Sequence, residues 1–181
     1  MLRPALGTLD WQPARERTDL LAAPVLTALA ASDLDCFVAA IDPALADTAE
    51  FCAAYDVPLA LSANCVVVAG RRGETTTTAA CVVLATDRAD VNKTVRRHLD
   101  VRKISFAPMA DAVQQSGMEY GGITPVGLPA DWPVLVDDAV ATQSWVVVGS
   151  GIRGSKLAVP GAALGALPTA QTLVLAVSAA G

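Results

Sequence analysis

Ten residues, Met118-Glu119-Tyr120-Gly121-Gly122-Ile123-Thr124-Pro125-Val126-Gly127, constrain this chain more than any others. Four turn-formers, Gly121, Gly122, Pro125 and Gly127, stand between two segments that read as regular structure. Paired glycines let a backbone come close to a ligand and present bare N–H groups. Thr124 adds a hydroxyl and Pro125 stiffens the loop. Taken alone, the pattern fits two readings equally: a loop that grips a small polar group, or a tight connection with no ligand.

Strands outnumber helices along the chain. Residues 1–10 read as an irregular lead-in. Residues 17–31 read as a helix that Pro24 breaks or kinks. A strand at 36–41 is followed by a helix from Asp42-Pro43 to Tyr55, because Asp caps and Pro fits a first turn. Strands at 64–69 and 75–85 flank Arg71-Arg72-Gly73-Glu74 as a hairpin. A helix at 90–99, a strand at 101–107 and a short helix at 108–117 lead to the glycine loop. Strands at 133–137, 144–149 and 155–159, a helix at 160–166 and a strand at 171–177 close the chain. Hairpin-like succession without strict βαβ alternation points to an α+β fold. We expect a single domain with a curved, mixed or mostly antiparallel sheet, barrel-like and flanked by helices. A helical lead-in at 1–34 would precede a main unit at 35–181.

The 181 residues suit one domain with a real core. Apolar residues make up 53% and aromatics only 4%, so the core is built of small aliphatics. Met1-Leu2-Arg3-Pro4 is not expected to open a signal peptide, since Asp10 and Arg15 interrupt the apolar run. The stretch from Leu157 to Gly181 carries no charge, but Pro160, Gly161, Gly165 and Pro168 break it, so no membrane span is expected. Cys36, Cys52, Cys65 and Cys81 form no C-x-x-C pair and read as buried thiols. With His98 the only histidine there is no zinc set, and no metal or other cofactor is expected. A cytoplasmic setting follows as the expectation. Net charge is −5, yet six of thirteen Lys and Arg, namely Arg88, Lys93, Arg96, Arg97, Arg102 and Lys103, crowd into sixteen residues. Such a segment can hold a phosphate backbone or form a solvated helix face.

Several chemistries are disfavoured. A Ser-His-Asp set has no suitable histidine, and no cysteine has a neighbouring His or glycine turn. Gly149-Ser150-Gly151-Ile152-Arg153-Gly154 lacks the Gly-Lys-Ser/Thr ending of a P-loop and does not lead into a helix as a dinucleotide fingerprint does. Ser150 can hydrogen-bond a substrate, and Arg153 can meet a phosphate. Asp137 and Asp138 end a strand, where they can bind an amino group or cap a helix.

In order and spacing, the elements around these loops resemble the YbaK/ProX family of aminoacyl-tRNA editing domains, over roughly residues 35–177. Arg102-Lys103-Ile104-Ser105-Phe106-Ala107 and a short helix lead to the G-G-[IV]-[ST]-P-x-G loop. Pro133-Val134-Leu135-Val136-Asp137 follows, and then Val146-Val147-Val148 runs into the second glycine loop. The resemblance implies a deacylase that hydrolyses the ester of a mischarged aminoacyl-tRNA, of the kind that clears cysteine or alanine from proline tRNA. It implies tRNA, and a synthetase, as partners. The pocket would use Gly121, Gly122, Ile123, Pro125 and Gly127 opposite Gly149, Gly151, Arg153 and Lys156, with Asn64, Thr124 and Ser150 as the expected catalytic groups. Asp137 would take the substrate amino group, and Lys93, Arg96, Arg97, Arg102 and Lys103 would contact RNA. The chain departs from the family within Ser62-Ala63-Asn64-Cys65-Val66-Val67-Val68, where Asn64 stands at the position of the family's lysine. An amide donates a hydrogen bond but brings no charge. Lys156 is a candidate to restore it. Substrate-assisted hydrolysis, a different ligand, and binding without turnover are all compatible with that change, as is a domain that merely keeps the fold.

Overall fold

The computed structural model describes residues 2–178; Met1 and residues 179–181, the extreme ends of the expected lead-in and main unit, lie outside them. The strands are β1 (Gln12–Pro13), β2 (Phe37–Ala40), β3 (Ala63–Arg72), β4 (Thr75–Leu84), β5 (Asp87–Ala89), β6 (Lys103–Phe106), β7 (Val134–Asp137), β8 (Val146–Gly149), β9 (Ser155–Val159), β10 (Ala170–Leu173) and β11 (Ala176–Ser178). The helices are α1 (Ala23–Ala30), α2 (Thr48–Tyr55), α3 (Arg96–His98), α4 (Met109–Ser116), α5 (Asp138–Ala141) and α6 (Gly161–Gly165). The expected α+β architecture is present. One sheet, in the order β1-β2-β9-β8, is antiparallel throughout. The second, β10-β7-β4-β3-β6, is mixed: β7 runs parallel to both β4 and β10, while β3 is antiparallel to β4 and β6. β11 and β5 form a separate ribbon. The sheets do not close into a barrel; a bridge between Ser62 and Val147 links the start of β3 to the edge strand β8.

The hairpin of β3 and β4 is the longest pairing and follows from its residues. β-branched Val and Thr favour a pleated surface. Gly73, at φ +60°, begins a two-residue turn between the paired Arg72 and Thr75, as a type II′ hairpin requires. From Ala79 to Leu84, β4 is buried on both faces, because apolar layers cover the sheet on either side. Val82, Val134 and Val136 pack toward the first sheet with Val38, Val148 and Leu157 and with Val25 and Leu29 of α1. Val68, Cys81, Val83 and Leu135 pack outward against Val91, Val95 and Leu175. On the far side of the first sheet, Phe37 and Ala158 meet Trp11, Phe51 and Cys52. Residues before position 35 thus enter both the inter-sheet core and the outer layer.

Three expected elements are interrupted, each where a side chain or turn claims backbone groups. The helix expected over 42–55 is split: Asp42 caps a 3-10 turn at 43–45 by accepting from the Ala44 N–H at 2.9 Å, and α2 starts afresh at Thr48. At the break the Ala46 carbonyl accepts from Lys156 Nζ at 2.7 Å. The helix expected at 90–99 is a π-turn over Val91–Val95 followed by α3, with Asp90 accepting from Thr94 N–H and Oγ1. The last strand divides into β10 and β11 because Asp137 Oδ2 accepts from the N–H groups of both Leu175 and Ala176, at 2.9 Å each. Pro24 lies in the first turn of α1, where proline is tolerated, so the helix starts there rather than kinking.

Candidate functional site

A cavity of about 450 Å³ opens where the two sheets meet. Its existence follows from strand lengths. β6 pairs with β3 only from Val68 to Arg71, and the Ala107 N–H then bonds the Val67 carbonyl. The earlier part of β3 is left with an open edge, and Ala63 to Val67 line the cavity there. Alternation in an antiparallel ladder makes Cys65 the next residue to turn its peptide groups toward that edge. Gly149 and Lys156, paired neighbours on β8 and β9, form the opposite wall. Ala46, Asp47 and Thr48 close one end, and Tyr120, Gly121 and Ile123 of the glycine loop close another. Phe106 (67% exposed), Met109 (56%) and Tyr120 (61%) line the mouth, three of the few large apolar side chains left in solvent.

The two glycine loops interlock. The Gly151 N–H donates to the Gly122 carbonyl at 2.8 Å, the Glu119 N–H to the Gly151 carbonyl at 2.8 Å, and the Arg153 N–H to Glu119 Oε2 at 2.7 Å. A Cβ on Gly149 would stand 2.3 Å from the Gly122 oxygen, and one on Gly122 2.7 Å from the Ile152 backbone. Only glycine permits that approach. The N–H groups of Gly121 and Ile123 make no hydrogen bond among the described residues.

The expected site residues divide into two groups. Asn64, Gly121, Ile123, Gly149 and Lys156 line the cavity. Gly122 holds the loops together behind it, and Pro125 is buried. Gly127 and Gly151 lie against Pro24 and Ala22, at the start of α1. Neither Thr124 nor Ser150 lines the cavity. Thr124 is fully buried and its hydroxyl finds no partner among the described residues. Ser150 Oγ donates to the Ser155 carbonyl at 3.0 Å and lies 2.6 Å from Ser155 Oγ, which donates in turn to the Leu20 carbonyl. Asp137 is committed to the Leu175 and Ala176 amides and to capping α5 through the Ala139 N–H. Arg153 donates from its side chain to the carbonyls of Pro43 and Tyr120, tying three segments together at the rim. Lys93, Arg96, Arg97, Arg102 and Lys103 are exposed, and with Arg88 they form no ion pair among the described residues.

Inside the cavity the polar groups are held. Thr48 Oγ1 donates to Asn64 Oδ1 at 2.6 Å, which leaves the Asn64 amide NH₂ as a donor. Lys156 is 6% exposed, with its amine 5.2 Å from the Phe51 ring centre. Burial pulls that amine down from its ordinary value to about 8; nearby Cys52 and Asp47 act in the opposite direction, and Arg153 adds to the lowering. Burial pushes the Cys65 thiol upward, with Cys81 adding to it, so a thiolate nucleophile at the cavity wall is disfavoured. No group of three or more potential metal ligands occurs among the described residues. Asp47, Thr48, Phe106, Met109 and Tyr120 line the cavity as well, and the sequence assigns none of them a site role. Asp47-Thr48 has the composition of a helix start, but it was hidden inside what read as one continuous helix.

Comparison with known proteins places this geometry. No helix among the described residues is long and apolar enough to cross a membrane. No curated protein matches the chain. Among solved structures, the hypothetical protein APE2540 is 19% identical, with a TM-score of 0.75, over 85% of this chain and 99% of its own. A protein described as "a putative trans-editing enzyme for prolyl tRNA synthetase" is 20% identical, with a TM-score of 0.66, over 77% of this chain and 85% of its own. A scaffold protein used for epitope backbone grafting is 21% identical, with a TM-score of 0.71, over 85% and 96%. These likenesses establish a shared fold. The model of the aminoacyl-tRNA editing domain matches residues 42–167, which hold β3, both glycine loops and every residue that lines the cavity. The chain belongs to the aminoacyl-tRNA editing domain family.

Proposed function

We propose that the protein is a trans-editing hydrolase that removes a mischarged amino acid from tRNA. The observation that carries this is the meeting of Asn64, Gly121 and Gly149 in one cavity. An editing site must hold the ester carbonyl and favour the negative charge that grows on its oxygen. The Asn64 amide NH₂, fixed by Thr48, and the free N–H groups of Gly121 and Ile123 are donors of the kind that task needs. Water adds to the carbonyl carbon, the bond to the ribose oxygen breaks, and the proton from water passes to that oxygen. The products are a free amino acid and tRNA with its terminal hydroxyl restored. No protein nucleophile enters the scheme.

The surroundings of the cavity support an RNA substrate. Exposed Phe106 and Tyr120 at the mouth offer faces on which unpaired 3′-terminal bases stack, an interaction worth about 1–3 kcal/mol per base. β6 carries Lys103 three residues before Phe106, close to the other cations of residues 88–103. Exposed cations that form no ion pair among the described residues suit a localised phosphate contact on a chain of net charge −5. The roles of Thr124, Ser150, Asp137 and Arg153 in this scheme are to hold the loops and strand ends in place. The substrate is an aminoacyl-tRNA, and the setting is the compartment where tRNA is charged.

Single-turnover deacylation of a panel of mischarged tRNAs tests the proposal, with wild type beside Asn64→Ala and Gly122→Val. We expect hydrolysis of one or a few species, a drop of about a hundredfold in Asn64→Ala, and loss in Gly122→Val, whose side chain would strike the Ile152 backbone. A folded wild-type protein that binds aminoacyl-tRNA and hydrolyses none would instead be a binding module.

A further inference from the structure

The cavity holds two opposite charges that face it without pairing with each other. Lys156 comes from β9 and Asp47 from the residue before α2, and both line the wall. The Lys156 amine has three N–H bonds, and its one hydrogen bond among the described residues goes to the Ala46 carbonyl. A buried ammonium with two donors unspent is costly unless something else takes them. Asp47 occupies the N-cap position of α2, where aspartate ordinarily accepts from the first-turn amides, yet it makes no capping hydrogen bond. Its carboxylate turns instead toward the glycine loop: a Cβ built on Gly121 would lie 3.9 Å from Asp47 Oδ1. Asp47 and Lys156 do not form an ion pair, although the carboxylate is near enough to act on the amine electrostatically.

An aminoacyl ester has the complementary layout, an α-ammonium one carbon away from an ester carbonyl. We propose that Asp47 and Lys156 read those two groups, Asp47 accepting from the α-ammonium and Lys156 donating to the carbonyl oxygen. This rests on the deacylase reading and deepens it. The positive charge that Asn64 lacks enters the cavity from the opposite sheet, on a strand that follows the second glycine loop. Lys156 remains protonated through the reaction: water supplies the proton that the ribose oxygen gains, and the amine only stabilises the oxyanion. The site becomes selective for esters of free α-amino acids, and an N-blocked ester is a poor substrate because Asp47 then faces an uncharged amide.

The test compares wild type, Lys156→Met, Lys156→Arg and Asp47→Asn on the same tRNA, charged either with the free amino acid or with its N-acetyl derivative. Wild type is expected to favour the free amino ester by about a hundredfold, and Asp47→Asn to lose most of that preference. Lys156→Met is expected to lower kcat for both esters by a similar factor, with partial recovery in Lys156→Arg. The charged and titratable groups around the amine are Asp47, Cys52 and Arg153. Because the amine is charged below about 8 and neutral above, the ratio of wild-type to Lys156→Met rates should fall as pH rises through that value. Full discrimination in Asp47→Asn, or a wild-type rate in Lys156→Met, would overturn this assignment and leave the deacylase standing. Absence of hydrolysis by wild type would remove both.

Discussion

Asn64 and Lys156 face one cavity from different sheets, and their energetics differ. Asn64 is neutral and held by Thr48, so its presence costs little. Lys156 is a buried cation whose fold-stabilising partners are one carbonyl and one aromatic face. A buried charge with so few partners reduces stability. The linkage has a definite sign. Folding lowers the proton affinity of the amine from 10.5 to about 8, so the unfolded chain binds the extra proton between those values. The destabilisation is fully present below pH 8 and is relieved as pH rises toward 10.5. Lys156→Met should therefore unfold at a higher temperature than wild type at pH 7, with the gap closing in that alkaline window; a constant gap would mean that the amine is not strained. At this scale the sequence was legible only in part. Asn64 stood out because it replaces a residue that the resemblance expects. Thr124 and Ser150 carry hydroxyls suited to a site, but the direction of a loop side chain is set by the fold, as Ser150 shows by turning its hydroxyl onto Ser155, which spacing does not reveal.

Among the elements, the strands were more legible than the helices. The β3–β4 hairpin, β7 and β8 are written in Val- and Thr-rich runs separated by turn-formers. The helix breaks were set by single side chains, Asp42 and Asp90 capping short turns and the distant Lys156 amine taking the Ala46 carbonyl, none of which periodicity shows. The splitting of β10 from β11 by Asp137 was hidden for the same reason. The glycine loops were visible as turns, and their mutual contact follows from the glycines at the crossing. That contact is testable as packing. In Gly149→Ala the new methyl must displace the Gly122 carbonyl, 2.3 Å away. We expect a loss of about 1–3 kcal/mol in denaturant unfolding, together with reduced deacylation, whereas unaltered stability would show that the loops do not touch as described.

For the molecule as a whole, an acidic protein must meet a polyanion through a local surface. On the proposed reading residues 88–103 would supply it; they lie on the outer layer that covers the five-stranded sheet, and Phe106, three residues beyond them, lines the cavity. Replacing Arg96 and Arg97 together with alanine should weaken tRNA binding. It should also flatten the dependence of log K on log salt by about 0.7–0.9 for each phosphate that is no longer neutralised; an unchanged slope would move the RNA to another face. The overall class, α+β with a mixed sheet, was legible from element order. The division into two sheets was not, because it depends on where β6 stops pairing and on the seam between Ser62 and Val147. That seam is where the account can be examined most directly. The measurement is a crystal structure of the protein with a non-hydrolysable 3′-aminoacylamido-adenosine. The account predicts the acyl carbonyl within hydrogen-bond reach of the Asn64 amide and the Lys156 amine, with the α-ammonium beside Asp47. An analogue bound elsewhere, or bound here with its amino acid pointing out past Phe106 and Tyr120, would contradict it.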